Sequence, residues 1–368
     1  MKYVFRKRRY AVLAGAADRL GPLFIRRQGP VPTPPSPKNI LIVRLDHLGD
    51  VLPATGIPKA LKESFPAARV TFLTSSWAAP LLADNPFVDE LLLWDAPWFA
   101  RGLREDRRGV VSLTRQLKQK RFDLGLSLRG DARENALLWA AGVKERVGFG
   151  ITGGGFFLTK ELTYRRGIHE TAHTADLLGS IGVRSHHLEP ELYFTESEDR
   201  RLDEDLAGMG FRPGRWMTFQ VSAGTPSKNW PVHQVSAFLR LFQEEFPAIG
   251  VCLIGAPSEP YGVAGALDLR GKTSLRQLLR IIRQSEIFVG PDSGPTHLAA
   301  ALGLRTLFLF SGTNEWARWR PLSERAAALR HAVGCSPCLL ERCNVDGHPC
   351  VSEITPTQVL AEVRAWLR

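Results

Sequence analysis

No apolar stretch in this 368-residue chain approaches the roughly 18 residues that a membrane-spanning helix needs. Residues 11–17 are apolar but few, and Asp18 ends them with no clean cleavage site, so they do not read as a signal peptide. A cytoplasmic protein is expected. The turn after the first apolar strand carries no G-x-G-x-x-G, which argues against a nicotinamide or flavin enzyme. Acidic residues are scarce at the front. Residues 1–30 hold Asp18 alone against eight lysines and arginines, a net +7. The whole chain stands at +11, so everything beyond residue 30 carries only +4, and no basic face for nucleic acid is called for. The expectation for residues 1–30 is a basic amphipathic arm against an anionic membrane surface, with a partnerless basic tail as the plain alternative. Residues 31–37, four of them proline, form a stiff spacer after it.

The rest of the chain alternates short apolar runs with helix-like stretches. Strands are expected at 40–43, 70–73, 91–93 and 124–128, and again at 216–221, 250–254, 287–289 and 306–310. Helices are expected at 51–64, 113–120, 236–246, 274–283 and 296–302, with a final one at 356–367. This alternation predicts an α/β fold with two doubly wound parallel sheets, each covered on both faces. Ligands in such folds bind outside the carboxyl ends of the strands, in a cleft.

Several turns at those strand ends carry candidate chemistry. After 287–289 comes Gly290-Pro291-Asp292-Ser293-Gly294, then Pro295 to open a helix that stops at Gly303. Such a turn aims backbone N–H groups and the positive helix end at one spot, which suits a phosphate. Asp292 is placed to take a ribose hydroxyl and His297 to donate to a phosphate oxygen, against the plain reading of a capped helix start. After the first strand, Leu48-Gly49-Asp50 offers a tight turn and a carboxylate able to accept a proton from an attacking hydroxyl. Asp46 rivals it, and an ordinary helix cap is the bland alternative. After the strand at 216–221, Ser222, Gly224 and Thr225 could line a phosphate pocket, with Lys228 as the cation for a departing diphosphate. The bland alternative is a surface lysine. Glu259, after the strand at 250–254, could contact a nucleoside or be an exposed loop residue.

Two further motifs compete. His169-Glu170-Thr171-Ala172-His173 matches H-E-x-x-H, which on a helix could hold zinc with Glu170 as base and Asp176 or Glu189 as a third ligand. Structural histidines, or a contact to an anionic acceptor, are the alternatives. Cys335, Cys338, Cys343 and Cys350 fall within sixteen residues and suit a structural zinc or iron site; disulfides or reduced thiols are the other readings. Cys252, inside an apolar run, reads as core.

Taken in order, the Leu-Gly-Asp turn, the Lys228-Asn229-Trp230-Pro231 stretch and Asp292-Ser293-Gly294-Pro295-Thr296-His297 resemble the family 9 glycosyltransferases, the heptosyltransferases of lipopolysaccharide core assembly. The resemblance covers about residue 38 to the end. It implies a GT-B fold: an acceptor-binding Rossmann-like domain at 38–188, a nucleotide-sugar-binding one at 189–354 with the cysteine loop 335–350, and a last helix within 355–368 packing back on the first domain. Residues 1–37 stand outside it. It implies inverting transfer from a nucleotide sugar, ADP-heptose, to an anionic glycolipid acceptor, with no catalytic cofactor. Asp50 then matches the general base, Lys228 the donor-phosphate lysine, and Asp292, Ser293, Gly294 and His297 the diphosphate-binding turn. Thr273 falls at a nucleoside-contacting position. Ala223-Gly224 replaces the two threonines that some members carry on the phosphate loop. Another nucleotide sugar, a protein acceptor, a non-catalytic sugar-nucleotide-binding protein that would not need Asp50, or a zinc peptidase using His169, Glu170 and His173 are the alternative functions.

Overall fold

A computed structural model describes residues 8–24, 36–97, 107–184, 189–256 and 264–367. Of the basic arm, residues 8–24 are described; residues 1–7 and 25–35 lie outside the described residues, as does Glu259. The chain divides into two units, Met1–Tyr193 and Phe194–Arg368.

The first unit opens with helix α1 (Arg8–Phe24). Strand β1 (Asn39–Arg44) follows, then the short helix α2 (Leu48–Val51) and helix α3 (Ile57–Ser64). The single helix expected over 51–64 is broken because Pro53 and Pro58 cannot donate hydrogen bonds, so each opens a new short helix. Next come β2 (Arg69–Thr74), β3 (Glu90–Leu93), α4 (Arg107–Gln119), β4 (Leu124–Ser127) and α5 (Ala132–Ala140). The unit continues through β5 (Glu145–Phe149), β6 (Lys160–Leu162) and α6 (Glu170–Ser180). All six strands run parallel in the order β3-β2-β1-β4-β5-β6. Alternate residues of β1 face opposite ways. Ile40 and Ile42 pack with Ile57, Leu61 and Leu177, whereas Leu41 and Val43 pack with Leu113, Leu117 and Leu138. An all-apolar strand of this kind is what a sheet covered on both faces requires.

The second unit repeats the plan. It runs α7 (Glu196–Gly208), β7 (Trp216–Gln220), α8 (Val232–Glu245), β8 (Gly250–Ile254) and β9 (Leu267–Asp268). Helix α9 (Leu275–Gln284) is followed by β10 (Ile287–Pro291), α10 (Gly294–Ala301) and β11 (Arg305–Leu309). The unit ends with α11 (Trp316–Trp319), β12 (Ala326–Leu329), α12 (Pro349–Ser352) and α13 (Pro356–Leu367). Its parallel sheet has the order β12-β11-β10-β7-β8-β9, which repeats the connectivity of the first.

Two boundaries differ from expectation. Residues 189–193 belong to the first unit, because Lys59 Nζ pairs with Glu191 Oε1 at 2.6 Å and the Glu191 N–H donates to Thr55 Oγ1 at 2.9 Å. Phe194 opens the second, lying under the guanidinium groups of Arg276 and Arg283. The final helix, expected on the first domain, instead buries Val359, Leu360 and Val363 in the core of the second, and Arg364 pairs with Glu245 of α8 at 2.5 Å. It shares that core with Val235, Phe238, Leu239 and Phe242 of α8.

Candidate functional site

In both sheets the strand order reverses at one point: between β1 and β4 in the first unit, and between β7 and β10 in the second. In open α/β sheets such a reversal is where the loops leaving the strands diverge and ligands bind. Each unit places its polar cluster at that point.

In the first unit β1 ends in Arg44, whose side chain is buried. Its Nη2 lies 3.7 Å from Asp46 Oδ2, 3.7 Å from Asp50 Oδ1 and 3.5 Å from Glu170 Oε1. Burial opposes its charge, but Asp46, Glu170 and Asp50 outweigh burial and hold the guanidinium charged well above its ordinary range. From the β4 loop, Arg129 adds a second cation, 3.4 Å from Asp46 Oδ1. Asp46 is thus buried between two arginines, and its backbone carbonyl takes the Trp77 indole N–H at 3.0 Å. Asp50 keeps 24% of its side chain exposed, against 8% for Asp46. Of the rival carboxylates, Asp50 is the more exposed. It is not the helix cap; His47 holds that position and Asp50 sits third in the turn. Gly49, expected in a tight turn, lies inside α2 and is absent from the glycines of positive φ.

The H-E-x-x-H segment begins α6, and its side chains are engaged separately. His169 is the cap, its Nδ1 accepting from the Thr171 N–H at 3.3 Å. Glu170 faces Arg44, as above, and also takes the Tyr164 hydroxyl at 3.4 Å. His173 is buried, stacked on Tyr164 at 3.9 Å between centroids and edge-on to Phe149 at 5.6 Å. Asp176 is held by Arg165 at 2.7 Å, and Glu189 is exposed. The zinc-peptidase alternative fails on this geometry: the glutamate neutralises an arginine and a histidine fills an aromatic stack.

In the second unit, β7 leads into Ser222 and the turn at Pro226–Lys228. Lys228 Nζ donates to the Asp292 backbone carbonyl at 2.8 Å and to Asp292 Oδ2 at 3.1 Å. His297 Nε2 meets Asp292 Oδ1 at 3.0 Å, and Asn314 Nδ2 donates to Oδ2 at 2.6 Å. Burial works to raise the Asp292 carboxyl, yet the His297 hydrogen bond and the Lys228 charge hold it below the usual carboxylate range. At 1% exposure, with its oxygens shared among three side chains, Asp292 does not present itself to a ribose as expected. It anchors Lys228 and His297 instead. His297 is also fixed by ring contact with Phe308, 5.0 Å between centroids.

The sequence around Lys228 explains its aim. Asn229 Oδ1 accepts from the Ala223 N–H at 2.7 Å, pinning the preceding loop. Trp230 is buried in the core and donates its indole N–H to the Ile354 carbonyl at 2.8 Å, and Pro231 caps α8. The turn at α10 is tied to β7 by Gln220, whose Oε1 accepts from Ser293 Oγ at 2.7 Å and Thr296 Oγ1 at 3.2 Å. α10 begins at Gly294, with Ser293 as its cap residue, one residue before the Pro295 start expected; Pro295 lies in its first turn and Gly303 (φ +73°) beyond its end.

The remaining candidates are less central. Ser222 is half-buried, its Oγ accepting from the Ala256 N–H at 3.2 Å. Gly224 is exposed, and a side chain there would meet open space, so no close approach demands glycine. Thr225 holds the cap position of the Lys228 turn, with no capping hydrogen bond from its side chain. Thr273 sits before Ser274, the cap of α9, and no hydrogen bond joins it to the Lys228 cluster among the described residues.

The four clustered cysteines are free. Cys350 is buried in the core of the second unit while Cys335 is exposed, and Cys338 and Cys343 are intermediate. Burial, and then the three nearby thiols, push the Cys350 thiol up, against a backbone N–H from Gly312. Among the described residues no group of three or more His, Cys, Asp or Glu is disposed to hold a metal. The loop does another job: the Ser227 N–H donates to the Glu341 carbonyl at 3.0 Å and the Cys338 N–H to the Gly312 carbonyl at 3.1 Å, bracing the Lys228 turn. Among the described residues no helix is long and apolar enough to cross a membrane.

Sequence reasoning missed Arg44, Arg129, Gln220 and Asn314. Arg44, Arg129 and Gln220 lie on or just after strands that flank a reversal point, and Asn314 lies in the loop after β11; no local spacing marks any of them.

Residues 110–348 match the model for "Glycosyltransferase family 9 (heptosyltransferase)". The chain is 26% identical to lipopolysaccharide heptosyltransferase 2 of Escherichia coli K12 over 364 residues, covering 89% of this chain and 98% of that one. Its fold is similar to the E. coli ADP-heptose lps heptosyltransferase II structure, with TM-score 0.72, 21% identity, and coverage of 89% and 98%. It is also similar to a family 9 glycosyl transferase from Veillonella parvula, with TM-score 0.76, 19% identity, and coverage of 90% and 97%. The two doubly wound units are those of the GT-B class.

Proposed function

Since the chain belongs to glycosyltransferase family 9, the heptosyltransferases, we propose that it moves a heptose from ADP-heptose to a lipopolysaccharide core or related anionic glycolipid, with inversion and without a metal ion. One observation carries the reading: a lysine ammonium, held by a buried aspartate, stands at the strand reversal beside the start of a helix. Fixed positive charge at such a place suits the diphosphate of a nucleotide sugar.

The chemistry follows from the residues. An acceptor hydroxyl attacks the anomeric carbon from the face opposite the diphosphate. Asp50 takes the hydroxyl proton as the new C–O bond forms. The bond to the diphosphate breaks, and its charge falls to Lys228, His297 and the first turn of α10. Arg44 and Glu170 keep Asp50 oriented. Asp292 keeps Lys228 in place, so the cation is already positioned when charge develops. Ser222, Thr225, Thr273 and Glu259 are assigned to the donor's remaining contacts. The reaction is assigned to the cytoplasmic face of the inner membrane, where a glycolipid acceptor lies, with no nucleic-acid partner.

Asp50→Asn tests the assignment. ADP affinity by calorimetry is expected to stay within a few-fold while turnover falls at least about a hundredfold. Turnover near wild type would remove Asp50 from the role. A panel of nucleotide sugars decides the donor, glycolipid against protein acceptors decides the acceptor, and turnover that survives chelation supports metal independence.

A further inference from the structure

Helix α1 presents two unlike faces. One is docked: Ala14 is buried, Asp18 Oδ1 accepts from the Gly154 N–H at 2.6 Å, and Gly21 lies so close to the Phe156 ring that a Cβ would stand 2.5 Å from it. The other is apolar and open. Val12, Leu13, Leu20 and Leu23 are 71%, 63%, 55% and 77% exposed, and Ala16 is exposed with them. At 3.6 residues per turn these five positions share an arc of about 100°. Arg9, exposed, stands at the N-terminal end of this stripe, and Arg19, also exposed, borders it.

A helix that merely closed the sheet edge would turn polar residues outward. Four large aliphatic side chains aligned toward water mark a surface that something covers. The charge decides what. Residues 1–30 carry a net +7, which repels a second copy of the same face and attracts an anionic one. We propose that α1 is an interfacial helix: its Val12–Leu13–Ala16–Leu20–Leu23 stripe enters the headgroup region of an anionic phospholipid bilayer, with the flanking arginines on lipid phosphates. This deepens the reading above, since it rests on the acceptor being a membrane glycolipid. Asp18, the one acidic residue of the arm, is spent on the docked side and leaves the outer side free of negative charge. The dock itself makes the membrane contact part of the folded unit.

The test is flotation of the full chain with vesicles of phosphatidylcholine alone and of phosphatidylcholine mixed with phosphatidylglycerol. Binding is expected to the mixed vesicles, at least about tenfold weaker to the neutral ones, and to weaken as salt shortens the Debye length to about 3 Å. Leu13→Asp with Leu20→Asp should cut partition at least about a hundredfold, since burying each leucine is worth a factor of ten or more. Arg9→Glu with Arg19→Glu should remove the preference for the anionic lipid. The leucine pair is exposed, so the melting temperature of that variant and its transfer to a delipidated soluble acceptor should not change. Equal binding of wild type to both vesicles, or full binding by the leucine variant, overturns the proposal. So does sedimentation showing that the leucine pair instead dissolves a dimer. Loss of transfer with intact vesicle binding would count against the enzymatic reading and leave this one standing.

Discussion

Glu134 lies in the first turn of α5 with its side chain wholly buried, and neither carboxyl oxygen has a hydrogen-bond partner among the described residues. Burial first, and then the charge of Asp131, push its carboxyl up to about 8 from an ordinary 4.5; Arg129 and Arg44 pull it down and Asp46 raises it. In the fold it therefore stays protonated near neutrality, whereas in the unfolded chain it ionises near 4.5. Between those two values the native state holds the extra proton. Its contribution is complete below pH 4.5 and is lost as pH rises through about 8. Each pH unit in that window is worth about 1.4 kcal/mol, so the loss reaches about 5 kcal/mol at most. Glu134→Gln keeps the shape and never ionises. Its amide brings unmatched donors into the same dry site, a pH-independent cost of about 1–3 kcal/mol. The slope against pH, not the offset, is thus the readout. Urea unfolding of both proteins from about pH 5 to about pH 9 should show the wild type losing several kcal/mol relative to the variant, most of it by pH 8. The second unit is common to both and cancels in the difference. Parallel curves would mean that Glu134 is hydrated or ionised in the fold, and would refute the reasoning. Ionisation would also add a fourth carboxylate around Arg44, beside Asp46, Asp50 and Glu170.

Lys228→Ala should lower kcat about 10²–10³-fold by removing the diphosphate cation. It should also destabilise the second unit by about 3–5 kcal/mol, because Asp292 loses its cation while remaining buried; steady-state kinetics and melting measure the two effects, and wild-type kinetics would exclude the role. Asp292 is held below its ordinary 3.8, so the stability it contributes is present above that value and lost as pH falls through the folded one. The gap between wild type and Asp292→Asn, read by acid titration, should be full at neutral pH and close below about pH 4; a gap that does not narrow refutes the ion-pair account. Gly290→Ala places a Cβ 2.8 Å from Thr296 Oγ1 and 2.9 Å from Gln220 Cβ. It should cost about 1–3 kcal/mol in thermal unfolding, and an unchanged melting temperature would show that the Gln220–Thr296 pair yields freely.

The central strands were legible because buried parallel strands are continuous apolar runs. Residues 40–43 and 250–254 needed no context to be recognised. β5 was not legible. Glu145-Arg146 interrupts its apolar character, and only the fold shows Arg146 buried, spending its guanidinium on the Val143 and Phe157 carbonyls at 2.6 Å each. β9 and β12 were missed for a related reason: a two-residue edge strand and a run of alanines carry little pattern. The helix over 51–64 was overdrawn because amphipathic spacing continues across Pro53 and Pro58 while hydrogen bonding does not.

At the site, the turn chemistry follows from local sequence. Lysine before Trp-Pro, and Asp-Ser-Gly-Pro-Thr-His after an apolar strand, are local, and local backbone preference sets them. Tertiary structure alone decided what each side chain faces. Asp292 reads as a ligand contact until Lys228, sixty-four residues away, and Asn314 are seen on its oxygens. Glu170 reads as a zinc-site base until Arg44, 126 residues away, is found beside it. The order of residues along a chain fixes periodicity and caps, but the partner of a buried charge is set by which strands become neighbours, and that depends on the sheet as a whole.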